Sequence, residues 1–303
     1  MATIKKSRTE STELIILRFL HTRMTLSEKD KQHFFRLQKG YEGEVKFDSL
    51  TEKLHCQCII INDLLLKVNN TLFQIDSLLI GLGKLHFYEV KNNQGDYYYE
   101  SDRLYKKPKI EYNNPLLQLN RSESLLRQLL QDLGINIPIE AQAVFINPAF
   151  TLYQAPLNKP FIFPTQVNSY MKKLDTNPLR LNPENEKLAD KLISLHIEES
   201  PYTLLPTYDY AQLRKGITCA VCRSFFISVC GKKCVCGDCG HEEFVDAAVL
   251  RSVRELKLLF PGCKITTNGV HDGCHSIGSK KMICRILSQN FRSIGFGRWI
   301  YYE

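Results

Sequence analysis

The chain has 303 residues, 44% apolar and 24% charged, which excludes a disordered or fibrous chain and leaves room for a large core and two or three domains. The net charge of +8 is uneven: residues 1–200 carry 26 basic and 24 acidic groups, residues 201–303 carry 14 and 8, and within that end residues 251–303 carry nine and three. That end points to a polyanionic partner, with a merely solvated basic surface as the plainer alternative.

In chain order, ELIILRFL is short, is broken by Arg18 and lacks a small-residue cleavage site after it, so no signal peptide is expected. No apolar run approaches the ~18 residues of a membrane span. A cytoplasmic location is the expectation, and in that reducing setting eleven cysteines point to metal more than to disulfides. From Leu26, apolar residues recur at helical spacing, with Ser27 as N-cap and Asp30 three residues on, giving one or two helices that meet near Gly40 and Gly43.

Three β-rich runs follow, CQCIIINDLLLKV, TLFQIDSLLI and KLHFYEVK, separated by Asn69-Asn70 and by a glycine-bearing turn at 81–84, and they read as a meander. Residues 114–134 form an amphipathic helix with Pro115 near its start and Gly134 at its stop, and AQAVFIN is a short apolar strand of the kind buried in a sheet centre. Pro and Asn then cluster in DTNPLRLNPEN, a boundary, and a helix is expected from about 184 to 199.

The hairpin between the second and third strands carries three charges in an apolar setting. A turn centred on Leu82 and Gly83 sets Asp76 directly opposite Glu89 on one face, with Cβ atoms ~5 Å apart, and Lys91 shares that face because side chains alternate along a strand. Two opposed carboxylates repel unless a cation lies between them, and a hard ion such as Mg²⁺ takes oxygen ligands of this kind. By the same counting Asp63 falls opposite Asp76, unless a bulge intervenes. An exposed sheet edge with an ordinary Glu–Lys pair is the alternative, but Ile75, Leu78, Phe87 and Val90 around the charges argue for a buried site.

The helix carrying Gly40-Tyr41-Glu42-Gly43-Glu44, then Asp76, then Glu89-Val90-Lys91, then Asn114-Pro115-Leu116-Leu117-Gln118 opening a helix, resembles the nuclease-related domain (NERD) family over residues 26–170. That family is a branch of the PD-(D/E)XK nuclease superfamily. The resemblance implies an α/β fold with a restriction-endonuclease-like core of helix, three-stranded meander, helix and strand. It also implies a hydrolase cutting phosphodiester bonds. Asp76, Glu89 and the Val90 carbonyl would bind Mg²⁺; Lys91 would orient or help activate the attacking water and steady the phosphate; Glu44 would hold a metal-bound water or second ion; Gln118 would hydrogen-bond within the site. Read as residues alone, Gly40 and Gly43 could serve only helix–sheet approach, Glu44 a solvated helix face and Gln118 a surface amide, and Glu42 competes with Glu44.

GDYYYESDRLYKKPK interleaves tyrosines with Arg103, Lys106, Lys107 and Lys109, which suits phosphates and unpaired bases as well as it suits an ordinary hairpin. No Walker loop, G-x-G-x-x-G or helicase-like motif appears, so ATP dependence has no support.

Cys219-x2-Cys222 and Cys236-x2-Cys239, thirteen residues apart, have the spacing of a zinc ribbon holding structural Zn²⁺. Gly237 and Gly240 favour the second pair over Cys230 or Cys234; those two and His241 remain as substitutes. Cys56, Cys58, Cys263 and Cys284 read as small buried residues, and His271, Cys274 and His275 lack an obvious fourth ligand.

The remaining helix, short segment, helix and hairpin look like a winged helix-turn-helix. In it Lys280, Lys281 and Arg285 lie on the exposed face of the second helix of the motif, with Arg292 and Arg298 on the wing, all chiefly meeting phosphate; a small helical cap on the ribbon is the alternative. The expected organisation is a nuclease-like domain at 26–175, a helical linker at 176–212, the zinc ribbon at 213–241 and the winged-helix-like segment at 242–303. The expected function is a Mg²⁺-dependent nuclease acting on nucleic acid, DNA foremost, in DNA processing or repair; a non-catalytic nucleic-acid-binding or regulatory protein on an inactive nuclease fold is the alternative.

Overall fold

The computed structural model describes residues 1–81, 83–176, 181–275 and 277–303, with the Arg298 side chain left aside. Leu82, the expected turn centre, and residues 177–180 of the Pro/Asn-rich boundary lie outside the described residues. The chain is mixed α/β and begins with β1 (Thr3–Lys6), α1 (Thr12–Arg23), α2 (Glu28–Thr51), β2 (Ile59–Val68), β3 (Thr71–Gly81), β4 (Lys84–Lys91), β5 (Gly95–Glu100), β6 (Arg103–Lys106) and β7 (Ile110–Tyr112). It continues with α3 (Pro115–Asp132), β8 (Ile139–Phe145), β9 (Phe150–Tyr153), β10 (Phe161–Ile162), α4 (Pro164–Thr176) and α5 (Pro183–Ser194). Then come β11 (Ile227–Cys230), β12 (Lys233–Cys236), β13 (Glu242–Phe244), α6 (Val245–Leu259), α7 (Thr267–Gly273), α8 (Lys280–Asn290), β14 (Ser293–Ile294), a 3₁₀ turn (Gly297–Trp299) and β15 (Tyr301–Tyr302).

These elements divide into two units that interleave along the chain, Met1–Ser11 with Phe35–Thr203 and Thr12–Phe34 with Leu204–Glu303. The division falls inside α2, which runs unbroken through Gly40 and Gly43, so the single-helix alternative is the one adopted. Its start follows the expected cap, with the Asp30 amide donating to Ser27 Oγ at 3.2 Å. The helix expected to reach about 199 ends at Ser194.

The first unit is built on a six-stranded sheet of order β1-β2-β3-β4-β8-β10. The meander β2–β4 is antiparallel, turning first at Asn69 and Asn70 (φ +46° and +61°), and β8 joins β4 in parallel. The parallel edge strand β1, from TIKK, gives no sign in the sequence, because four residues carry too little alternation to register. One sheet face packs Ile59, Ile61, Leu85 and Phe87 under leucines of α3 and α5. The other packs Ile60, Leu79 and Tyr88 under Phe47 of α2 and Met171 of α4. Coverage on both faces explains why the strands read as near-continuous apolar runs. A separate four-stranded sheet, β7-β6-β5-β9, closes around Tyr97, Tyr99, Leu104, Phe145 and Phe150.

In the second unit, β11, β12 and β13 form a small antiparallel sheet, and α6, α7 and α8 pack their apolar stripes into one cluster with Tyr302. The hairpin β14–β15 pairs Ser293 with Tyr302 and Ile294 with Tyr301, and Ile265 bridges to Tyr302. Helix α1 contributes Ile16 and Leu20 to a second cluster with Leu213 and Leu259. It also supplies Arg23, whose buried guanidinium pairs with Glu255 and donates from Nη1 to the carbonyls of Arg214 (2.8 Å) and Gly216 (3.1 Å). Cys56 and Cys58 are buried as expected, whereas Cys263 and Cys284 are exposed. Cys263 lies in the turn after α6, and Cys284 lies on α8 outside the buried stripe of Ile283, Ile286 and Leu287.

Candidate functional site

The charges of the central hairpin lie where the sheet changes phase. On β2 the residues facing one core are Ile59 and Ile61, then Leu64 and Leu66; on β3 they are Phe73 and Ile75, then Leu78 and Ile80. The alternation therefore resets once in each strand, between Ile61 and Leu64 and between Ile75 and Leu78. The pairing runs Asn62↔Ser77 and then Leu64↔Ile75, with Asp63 between them in the left-handed region at φ +57°. Asp63 thus sits at a local irregularity of the kind that simple opposition with Asp76 left open, and its carboxylate accepts from Gln74 Nε2 at 3.0 Å.

Between β3 and β4 the register is the expected one, Ser77↔Tyr88 and Leu78↔Phe87. Asp76 and Glu89, one step beyond, are both buried. Asp76 Oδ2 accepts from the Val90 amide at 2.7 Å. Lys91 Nζ donates to Glu89 Oε1 at 2.5 Å and to Gln118 Oε1 at 3.2 Å, so the first turn of α3 reaches the strand end. Asn114 caps that helix by accepting from the Leu116 amide at 3.1 Å.

Helix α2 brings Glu44 to the same place. Gly43 is what lets it approach: a Cβ there would lie 2.4 Å from Asn92 Cβ, just past β4, whereas Gly40 faces open space. Asn92 Nδ2 in turn donates to the Lys39 carbonyl at 2.7 Å.

Two residues that sequence reasoning missed complete the cluster. The Arg8 side chain is 3% exposed; its Nη1 donates to Glu44 Oε2 at 2.6 Å, its Nε to Asp48 Oδ2 at 2.8 Å and its Nη2 to the Asp76 carbonyl at 2.6 Å. Arg8 follows β1 at a distant point of the sequence, with no local pattern to mark it. Asp48 carries a signal: two acids four apart on one helix repel, and a buried pair of that kind calls for a cation.

Burial dominates the electrostatics. It pushes the Glu44 carboxyl up to about 8, with the Asp76 charge adding to the rise and Arg8 opposing it. Glu89 is likewise pushed up to about 8 by burial and by Asp76, against Lys91. Asp76 is also raised, by burial first, against the pull of Lys91 and the Val90 amide. Burial would lower the Lys91 ammonium, but Glu89 and Asp76 outweigh it and hold the group above its ordinary value.

The donors fit a hard divalent cation on one observation: Glu89 Oε2 is buried and has no hydrogen-bond partner, a costly state for an anionic oxygen unless a cation meets it. The carboxylates of Glu44, Asp76 and Glu89 are nonetheless not drawn together as a closed ligand group. Among the described residues the one group of three or more His, Cys, Asp or Glu ligand atoms all within 4.8 Å of one another is Cys219, Cys222, Cys236 and Cys239.

That cysteine group is compatible with structural zinc, as its spacing predicts. The Cys219 and Cys239 sulfurs are 3.6 Å apart, and those of Cys222 and Cys236 are 3.5 Å apart. Burial raises the Cys219 thiol, but the Cys222 and Val221 amides more than offset it and bring it down to about 6. Gly240 has φ +73°, in the left-handed region that favours glycine, and a Cβ on Gly237 would lie 2.3 Å from the Phe226 ring, so the structure of the second knuckle suits both glycines. Of the substitutes, Cys234 is turned into the core with Val249 and Ile283, and Cys230 ends β11 opposite Lys233.

The basic residues fall in two places. Lys106 and Lys107 are exposed on and just after β6, but each lies over a ring, Tyr97 at 6.0 Å and Tyr153 at 3.7 Å from the centroid. Lys280, Lys281 and Arg285 are exposed on α8, with Arg285 Nη2 3.6 Å from Asp246 Oδ1, and Arg292 is exposed at the base of the last hairpin. The Arg298 side chain lies outside what the structure describes. No helix among the described residues is long and apolar enough to cross a membrane.

The family model described as nuclease-related domain (NERD) matches residues 39–146, from the middle of α2 to the residue after β8. Glu44, Asp76, Glu89, Lys91 and Gln118 lie inside that stretch; Arg8 and the cysteine group lie outside it. Comparison with curated proteins and with solved structures gives no match.

Proposed function

From the nuclease-related domain carried at residues 39–146, we propose that this protein is a Mg²⁺-dependent nuclease that hydrolyses phosphodiester bonds, with DNA as its principal substrate. The observation that carries the reading is the buried Glu89 carboxylate, with one oxygen on Lys91 and the other without a partner, beside buried Asp76. The central sheet with α2 on one face and α3 on the other supports a restriction-endonuclease-like core.

In this reading Asp76, Glu89 and the Val90 carbonyl hold the ion, and Glu44 holds a water or a second ion from the α2 side. A bound Mg²⁺ polarises the phosphoryl oxygen and makes its water a better nucleophile. The protein does the rest. Asp76 is oriented by the Val90 amide, and Lys91, fixed between Glu89 and Gln118, presents its ammonium to the attacking water and to the charge that builds on the phosphate. Arg8 holds Glu44 in place and neutralises Asp48. The cysteine group holds structural zinc. The order α6, Ile265 bridge, α7, α8, β14 and β15 supports a winged helix-turn-helix, whose exposed Lys280, Lys281, Arg285 and Arg292 deliver the enzyme to phosphate.

The test is cleavage of supercoiled duplex DNA, circular single-stranded DNA and RNA, with Mg²⁺ or EDTA, beside Glu89→Gln purified identically. The expected result is Mg²⁺-dependent cutting that falls by about a hundredfold or more in the variant, since even groups behind a metal ligand are worth about 10–100-fold. Binding of nucleic acid by both proteins with cutting by neither would replace the enzyme reading with that of a binding protein.

A further inference from the structure

The charge of the carboxylate cluster bears on how many cations it can take. Glu44 lies within electrostatic reach of Asp48, Asp63, Asp76 and Glu89, so five carboxylates share one neighbourhood. Three cations are set against them. Lys91 Nζ is 2.5 Å from Glu89 Oε1; Lys6 Nζ donates to the Asp63 carbonyl at 2.7 Å and feels that residue's carboxylate; Arg8 is the third. With these groups ionised, as cation binding requires, five negative charges against three positive leave an excess of two.

Arg8 differs from the two lysines in what it occupies. Its buried guanidinium grips Asp48 with two bonds, Nε to Oδ2 at 2.8 Å and Nη2 to Oδ1 at 3.1 Å, and also donates to Glu44 Oε2 and to the Asp76 carbonyl, each at 2.6 Å. Oxygens of two carboxylates and a carbonyl gathered on one buried point are the donor set of a hard divalent cation, and here an arginine fills it. Both oxygens of Asp48 are taken, and Glu44 keeps only Oε1. A single divalent ion cancels the two remaining charges. A second would leave the cluster two charges positive, and one phosphodiester returns only one negative charge.

We propose that Arg8 stands in for a second metal ion: the site takes one divalent cation, through Asp76 and Glu89, and Glu44 Oε1 is left to hold a water. Arg8 is then a positioning residue that also fixes the ion count, and it lies outside the stretch that the family model matches. The inference rests on the nuclease reading above and chooses between the two roles open to Glu44.

Full-length, zinc-loaded protein is titrated with Mn²⁺, which shares the oxygen preference of Mg²⁺, and the free ion is counted by its electron paramagnetic resonance signal. The expected result is one Mn²⁺ per chain, displaced by Mg²⁺ and lost in Glu89→Gln. Arg8→Met, of similar length and uncharged, should raise the count to two; adding Asp48→Asn should return it to one, and Arg8→Lys should keep it at one. A side chain that served packing alone would not make an ion appear when removed. Circular dichroism and zinc content check the fold of each variant. If the uncompensated acids unfold Arg8→Met, Mn²⁺ should restore its fold, and failure to restore it overturns the proposal. Two ions in the unaltered protein, one of them lost in Asp48→Asn, also overturn it and leave the nuclease reading standing, as does a single ion in folded Arg8→Met. No bound ion in the unaltered protein overturns both readings.

Discussion

The cysteine group and the carboxylate cluster both gather atoms of the kind that can ligate a metal, yet they are built in opposite ways. The four thiols come from two short knuckles and gather within 4.8 Å of one another, so little besides a metal is left to add. The carboxylates come from a helix and two strands, do not close to that distance, and are held by an arginine, a lysine and a backbone amide from different points of the chain. Local turns can gather ligands by themselves; ligands brought from across a core need counter-charges to hold them. The first site is organised by chain geometry and the second by electrostatics.

The largest effect that sharpens this contrast is expected at the thiols. Stripping metal with a chelator, or Cys219→Ser with Cys239→Ser, removes a contribution on the order of 10 kcal/mol in metal-folded modules. Bound zinc should fall from one per chain to none, and calorimetry should show a separate transition lost for the second unit while that of the first persists. Retention of both transitions would mean that the ribbon does not depend on its metal.

At the carboxylates the effect is smaller and depends on pH. Folded Glu44 and Glu89 hold their protons up to about 8 against an ordinary value of 4.5. The native state therefore binds more protons than the unfolded chain between those values, and metal-free stability should fall as pH rises from about 4.5 and level off above about 8. Mg²⁺ should oppose the fall, and Glu89→Gln should flatten it. Thermal melts across this range, with and without Mg²⁺, decide it; a rise in stability with pH would sink the account.

Gly43→Ala tests how the two kinds of site depend on packing. A methyl group placed 2.4 Å from Asn92 Cβ must move α2 away from the end of β4, at about 1–3 kcal/mol. Denaturant titration should show that loss, with zinc content unchanged. The smallest effect is that of Lys281→Ala on α8, which should lower the slope of log affinity against log salt by about 0.9 for duplex DNA, leaving zinc content unchanged.

How much of this is readable in the sequence follows from the same contrast. The thiol spacing is local, so sequence alone picks the four cysteines that gather over Cys230 and Cys234. The meander and its register are legible because Asn69-Asn70 and the glycine turn fix the pairing and the strands are apolar nearly throughout. The reset at Asp63 and Asp76 is not legible, since a left-handed aspartate leaves the pairing sum unchanged while shifting the faces. Arg8 is hidden altogether: it gains meaning only when β1 joins the edge of the sheet and the arginine meets Glu44 and Asp48.

The interleaving of the two units also bears on the order in which the protein can mature. As the chain leaves the ribosome, α1 emerges early with Ile16 and Leu20 on its apolar side, while Leu213 and Leu259, which cover them, are translated after the whole of the first unit. During that interval the stripe lacks the cover of Leu213 and Leu259, and Arg23 waits just as long for Glu255. Nascent chains of this protein should thus engage ribosome-associated holding chaperones through residues 12–23, and release should coincide with completion of the C-terminal helices.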